Sequence, residues 1–126
     1  MRRILVATDR SRSADTAVTW AAEMAERYDA ELVVLQVVEA ASDAALAELD
    51  RFAQATGARA RARVEAGDDP SAAIVAVAGE EGADVLVVGN VGMSGRREFL
   101  LGNVPNRVSH NAPCSVVIVN TSGGRR

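Results

Sequence analysis

Short valine-rich runs alternate along this chain with longer stretches of helical period, and that alternation constrains the fold more than any other feature. Ile4-Leu5-Val6-Ala7 ends in the polar pair Thr8-Asp9, Glu31 to Val38 is a second continuous run, Ala83 to Val88 reads as a further apolar run, and Ser115 to Val119 is the last. Strands apolar on both faces belong to a parallel sheet that helices cover from both sides. With 24 Ala, 18 Val and only 3% aromatics, the core must consist of valine strands packed against alanine-faced helices.

The helical stretches fall between these runs. From Ser13 to Tyr28 the positions Ala14, Ala17, Val18, Ala21, Ala25 and Tyr28 recur at helical spacing, with Ser11 or Ser13 as N-cap. A second helix is expected from about Ser42 to Thr56, with Ala45, Leu46, Leu49, Phe52 and Ala53 on one face and Gly57 as its stop. A third opens at Asp69-Pro70 and is anchored by Ile74, Val77 and Ala78. A last helix starts near Asn103-Val104-Pro105, with Pro105 as its first residue, and ends before Pro113.

One strand breaks the pattern. Arg59, Arg61 and Arg63 alternate with Ala60, Ala62 and Val64, so only one face of it is apolar. Such a strand belongs at a sheet edge, where charge discourages another chain from pairing. An anion-binding stripe is the competing explanation. Five strands are too few for a closed barrel, so the expected fold is α/β: an open, doubly wound, five-stranded parallel sheet with helices on both faces. Strand orders close to 3-2-1-4-5 put the third strand at an edge with right-handed crossovers, and 3-2-1-4-5 is adopted here. The switch point then lies between strands 1 and 4, which deliver Asp9 and Gly89 to it.

Composition excludes several chemistries. All 14 basic residues are arginine, so a P-loop, a kinase-type lysine and Schiff-base chemistry lack their central residue. A single cysteine (Cys114) and a single histidine (His110) exclude an intramolecular disulfide, a multi-cysteine metal site and an HExxH site. A net charge of −3 argues against nonspecific binding to nucleic acid or anionic membrane. The first apolar run is too short for a signal peptide and no run is long enough to span a bilayer, so a cytoplasmic protein is expected. Residues 1–126 read as one domain with a polar tail over 121–126.

After the fourth strand the chain is glycine-rich: Gly89, Gly92, Gly95 and Gly102 precede the last helix, with Arg96 and Arg97 between them. Glycines admit a ligand close to the backbone, and the N–H groups of a helix N-terminus attract anions. Two explanations stand: a phosphate cradle built from backbone at the switch point, or a tight strand-to-helix connection with no ligand.

The spacing Gly89-x2-Gly92-x9-Gly102-Asn103 matches the G-2x-G-9x-G-(S/T) motif of the universal stress protein family. Ile4 to Asp9 resembles the family's first strand, and Asn111 to Val119 resembles its ending. The resemblance covers nearly the whole chain and implies an adenine nucleotide α-hydrolase-like fold. Many members bind ATP and dimerise, others do not bind ATP, and one subgroup is similar to cyclic-nucleotide binders.

Carried onto this chain, the resemblance makes Asp9 and Val38 contacts at the adenosine end. It places Gly89, Gly92 and Gly102 along ribose and phosphates, and makes Asn103 and Val104 N–H caps on the phosphates. Asn103 stands where a hydroxyl residue is usual, and Pro105, where a hydroxyl is common, has no N–H. Backbone cradling survives both departures; γ-phosphate and Mg²⁺ contacts are called into question. ATP is the expected ligand, with AMP or cyclic AMP as the alternative and a ligand-independent dimeric interaction protein as the third reading. No catalytic group converges on the switch point, so an enzyme is least expected, although slow ATP hydrolysis is compatible with binding.

Other residues have plainer explanations. Asp9 either binds ligand or helps cap the first helix. His110 reads as a surface residue at a helix C-terminus, Cys114 as a small buried hydrophobe, and Asp68-Asp69 as helix capping rather than a cation site. Trp20 and Met24 lie off the main apolar stripe of their helix, either as a contact surface or as a packed flank. The fifth strand, Ser115 to Val119, carries no charge and is the other edge, so a homodimer joined along it is expected, with Val117 as a ladder donor.

Overall fold

The computed structural model describes residues 1–90 and 104–121. In chain order the elements are β1 (Arg3–Ala7), α1 (Arg12–Tyr28), β2 (Glu31–Val38), α2 (Asp43–Gln54), β3 (Ala60–Ala66), α3 (Pro70–Glu81), β4 (Val85–Gly89), α4 (Val104–Asn111) and β5 (Ser115–Val119). The strands form one sheet in the order β3-β2-β1-β4-β5, all parallel, as the strand patterns require.

Alternating residues of each strand face two separate apolar layers. Ile4, Val6, Leu32, Val34 and Val87 pack with α1 and α2 through Ala17, Val18, Ala21, Leu49 and Ala53. Leu5, Ala7, Val33, Leu35, Leu86 and Val88 pack with α3 and α4 through Ile74, Val77, Ala78, Val104 and Val108. Alanine on the helices lets them lie close to the valine-rich sheet, which is how a chain so poor in aromatics closes its core. Trp20 and Met24 are half-buried against the α1–α2 layer, a packed flank of the helix.

The helix ends follow local chemistry. Ser11, not Ser13, caps α1: its Oγ accepts the Ala14 N–H at 3.1 Å, so the helix begins one residue earlier than periodicity suggests. Ser42 and Asp69 cap α2 and α3 in the same way. Two expectations shift. Helix α2 ends at Gln54 rather than Thr56, and Val104, ahead of Pro105, is already helical in α4. The fourth strand starts at Val85, and Asp84 before it donates its N–H to the Arg3 carbonyl at 2.9 Å while its carboxylate accepts the N–H groups of Arg2 and Arg3 at 2.8 and 3.0 Å.

At the β3 edge, Ala60, Ala62 and Val64 join the α1–α2 layer, while Arg61 and Arg63 point to the other face. There they meet the C-terminal turn of α3. Arg61 bridges Glu31 at 3.0 Å and Glu81 at 2.5 Å; Arg63 reaches Glu81 at 2.9 Å and also pairs with Glu65 and Glu80. Arg3 closes the chain of charges on Glu31 at 2.7 Å. Arg61 and Arg63 are therefore taken up by intramolecular pairing, and Arg59, just before the strand, pairs with Asp29 at 3.2 Å, which accounts for all three as structural charge at an edge.

Glu81 is the most enclosed acid of the network, its side chain 10% exposed. Hydrogen bonds from Arg61 hold its carboxyl below the usual range against the opposing effect of burial, with Arg63 adding to the same end. A carboxyl lowered in the folded state stabilises the fold above its unfolded pKa and loses that contribution as pH falls through the folded value. Glu81→Gln is therefore expected to destabilise by about 1–2 kcal/mol at pH 7, between the values of surface and buried pairs. The difference from the unmutated protein should shrink steadily in denaturant titrations as pH is lowered through and below the carboxylate range. A difference that does not change with pH would assign the effect to packing instead of charge.

Candidate functional site

Strands β1 and β4 are neighbours whose following segments lead to helices on opposite layers, α1 beside one face of the sheet and α4 beside the other. Divergence of this kind opens a crevice at the carboxyl ends of the strands. The register pairs Val6 with Val87, so Thr8 and Gly89 sit side by side at the crevice.

The β1 side of the crevice is a self-supporting turn. The Thr8 N–H continues the ladder to the Leu35 carbonyl at 2.9 Å, and Thr8 is buried at 1% exposure. Its Oγ1 accepts the Arg10 N–H at 2.9 Å, and Asp9 Oδ1 accepts the Ser11 N–H at 2.9 Å. Arg10 adopts φ 66°, a left-handed conformation that costs about 1–3 kcal/mol for a side-chain-bearing residue unless its surroundings enforce it. The surroundings here are explicit: the Arg10 guanidinium lies 3.7 Å from the centre of the Phe52 ring, and its Nε is 3.3 Å from Asp15 Oδ1. A small cavity of about 210 Å³ adjoins this turn, lined by Arg10, Gln36, Ala45, Glu48 and Leu49.

Asp9 is half-buried, and among the described residues the Ser11 N–H is its one hydrogen-bond donor. It shapes the entry to α1 and still has a carboxylate edge to offer, so the two roles weighed for it are compatible. Val38, half-buried, ends β2, and its carbonyl accepts the Gly67 N–H at 2.9 Å. In a parallel ladder the N–H and C=O of one residue point to the same neighbour, so the backbone of Val38 is turned towards β3. A contact from Val38 to a ligand therefore falls to its side chain.

Gly89 ends β4 and is buried. Val104 opens α4 with its side chain in the core at 2% exposure, so a ligand contact from it is a backbone contact. The expected contacts Gly92, Gly102 and Asn103 lie outside the described residues. The described structure thus brings Asp9 and Gly89 to one crevice, with Val38 two strands away from Gly89 on the same carboxyl edge of the sheet.

Three residues at this edge escaped the sequence reading. Thr8 and Arg10 build the turn, and Asn90 ties β4 to β5. The Asn90 Oδ1 accepts the Thr121 N–H at 2.8 Å and its hydroxyl at 3.1 Å, while its own N–H reaches the Val119 carbonyl at 2.9 Å. A polar residue directly after the strand's last glycine was the available signal for Asn90. Nothing local marks Arg10, whose partner Phe52 is 42 residues away.

The remaining candidates fall to structural roles or to the surface. Asp69 caps α3 and lies 3.5 Å from Arg107. His110 is exposed on the last turn of α4. Burial, with Asp84 nearby, raises the Cys114 thiol above its ordinary value and keeps it protonated. Among the described residues, no group of three or more His, Cys, Asp or Glu side chains could hold a metal ion, and no helix is long and apolar enough to cross a membrane.

An open α/β sheet with a glycine-bearing crevice at its switch point defines a class of ligand-binding folds. The chain belongs to the universal stress protein family, whose model matches residues 1–120. It is 28% identical to a putative universal stress protein of Staphylococcus haemolyticus, over 95% of this chain and 85% of the relative. A universal stress protein crystallised in complex with cAMP is 38% identical, with a TM-score of 0.78 over 96% of this chain and 98% of that one. The Archaeoglobus fulgidus universal stress protein crystallised with dAMP shares the fold at 23% identity, with a TM-score of 0.71 over 94% and 97% of the two chains.

Proposed function

We propose that this protein is a regulatory module that binds an adenine nucleotide carrying a single phosphate, cyclic AMP or AMP, at the crevice between β1 and β4. The observation that carries this reading is the 38% identical relative in complex with cAMP, joined to the departures at Asn103 and Pro105. A mononucleotide needs fewer phosphate contacts, so it tolerates the loss of a hydroxyl at 103 and of an N–H at 105. In this reading Asp9 and the Val38 side chain meet the nucleoside, Gly89, Gly92 and Gly102 line ribose and phosphate, and Asn103 and Val104 supply N–H donors. ATP, favoured by the glycine spacing alone, is the second reading, and Mg²⁺ has a place only in that one.

The reading is of a binding module without catalysis, in keeping with the glycine-rich, backbone-built character of the motif. It takes residues 1–126 as one domain with residues 121–126 as a polar tail, supported by the family match over 1–120. A cytoplasmic location is part of the same reading. It also includes a homodimer along β5, supported by that strand's uncharged edge and by Ile118, which is 46% exposed.

Calorimetric titration with cyclic AMP, AMP and ATP tests the ligand. The two mononucleotides should bind more tightly than ATP, and ATP binding more tightly than both would overturn the choice. Asn103→Ser restores the hydroxyl and is expected to move the ratio of ATP to AMP affinity towards ATP by about fivefold, the worth of one added hydrogen bond. An unmoved ratio would show that position 103 does not shape ligand choice.

A further inference from the structure

The left-handed turn at Arg10 has an unusual construction. Glycine is the residue that takes φ near +66° without penalty, and an arginine stands there instead. Its side chain is not loose. It reaches across to α2, stacks on Phe52 at 3.7 Å, and pairs with Asp15 on α1 at 3.3 Å. The guanidinium is a flat cation that can stack on an aromatic face while its edge N–H groups meet a carboxylate, a geometry an aliphatic side chain lacks. Three flanking side chains then fasten the backbone around it: Thr8 takes the Arg10 N–H, Asp9 the Ser11 N–H, and Ser11 the Ala14 N–H. The residue immediately before the strained one is Asp9, the carboxylate at the switch point.

We propose that Arg10 is a positioning residue: clamped between Phe52 and Asp15, it holds the Thr8–Ser11 turn in the form that presents Asp9 to the nucleotide, and so couples α2 to the binding site. This rests on the nucleotide reading above and adds to it the route by which the ligand is sensed. Phe52 also lines a groove of about 520 Å³ between α1 and α2, together with Asp15, Val18, Ala22 and Ala55. Whatever shifts Phe52 from within that groove loosens the turn, and a nucleotide that fixes Asp9 tightens α2 against α1. Coupling of this kind is reciprocal by thermodynamic necessity.

The test is a double-mutant cycle on Arg10→Gly and Phe52→Leu in the full chain, read in two ways. The first readout is hydrogen exchange of the Arg10 and Ser11 amides without ligand, and the second is affinity for cyclic AMP. In the Arg10 background, Phe52→Leu should speed exchange of the Arg10 and Ser11 amides and weaken cyclic AMP binding by about fivefold or more, the range of ordinary site-to-site coupling. In the Arg10→Gly background, where glycine takes the turn unaided, the same Phe52→Leu change should leave both readouts where Arg10→Gly alone put them. Equal effects of Phe52→Leu in the two backgrounds would make Phe52 a packing residue and overturn the proposal, as would unchanged amide exchange. The exchange arm needs no nucleotide, so failure of the unmutated protein to bind cyclic AMP would remove the nucleotide reading while the clamp is judged on its own.

Discussion

Gly102→Val is expected to weaken adenine-nucleotide binding by about tenfold or more, equivalent to about 1.4 kcal/mol, without unfolding the protein. In the family motif this is the third glycine, two residues before α4 begins at Val104. A branched side chain there would occupy the space the phosphate needs and would restrict the backbone whose N–H groups are to face it. Circular dichroism should show an unchanged fold, because Val104 and Val108 still anchor α4 in its apolar layer. Unchanged affinity in a folded variant would remove the segment from the site, and with it the nucleotide reading.

Ile118→Pro is expected to convert the proposed homodimer into a monomer at tens of micromolar, as read by sedimentation. The sequence suggested Val117 for this test, and the ladder changes the choice. The Asn90 N–H donates to the Val119 carbonyl, so Val119 turns its backbone groups inward to β4. Because direction alternates along a strand, Ser115 and Val117 also face β4, while Val116 and Ile118 present their N–H and C=O to the outside. Proline at 117 would break a bond between β4 and β5 and destabilise the monomer by about 1–3 kcal/mol. Proline at 118 removes only an outward donor, which an edge strand tolerates. The proline at 118 should therefore separate the copies with little change in the monomer's own stability. An unmutated protein that sediments as a monomer would end the edge-pairing argument.

Much of the architecture was legible because burial writes a local period into the chain. Continuous apolar runs marked β1, β2 and β5, the Arg–Ala alternation marked β3 as an edge, and Ser42 and Asp69-Pro70 marked helix starts through hydrogen bonds spanning three residues. Those features narrowed the strand order to 3-2-1-4-5 and arrangements close to it, and the folded sheet has that order, with β1 beside β4 at the crevice. The family motif then named its candidate contacts, of which Asp9 and Gly89 do lie at that crevice.

What only the tertiary structure decided depends on partners distant in sequence or on the parity of a ladder. The same period that marks β5 says nothing about which of its N–H groups face β4; the Asn90 N–H on the Val119 carbonyl decides that, and moves the test from Val117 to Ile118. Val38 ends a strand by its composition, but only the Gly67 N–H on its carbonyl shows that its backbone is committed to β3. The acids that neutralise Arg61 and Arg63 come from β2 and the end of α3 as well as from β3 itself. A lone arginine after Asp9 has no local signature of its left-handed backbone, and the ring it stacks on, Phe52, comes from α2, 42 residues along the chain. Local sequence thus determined which faces are buried and where the helices begin, because those depend on neighbours a few residues away; the folded sheet decided which polar groups remain to meet a ligand or a second chain, because that depends on what each strand and helix has already bound.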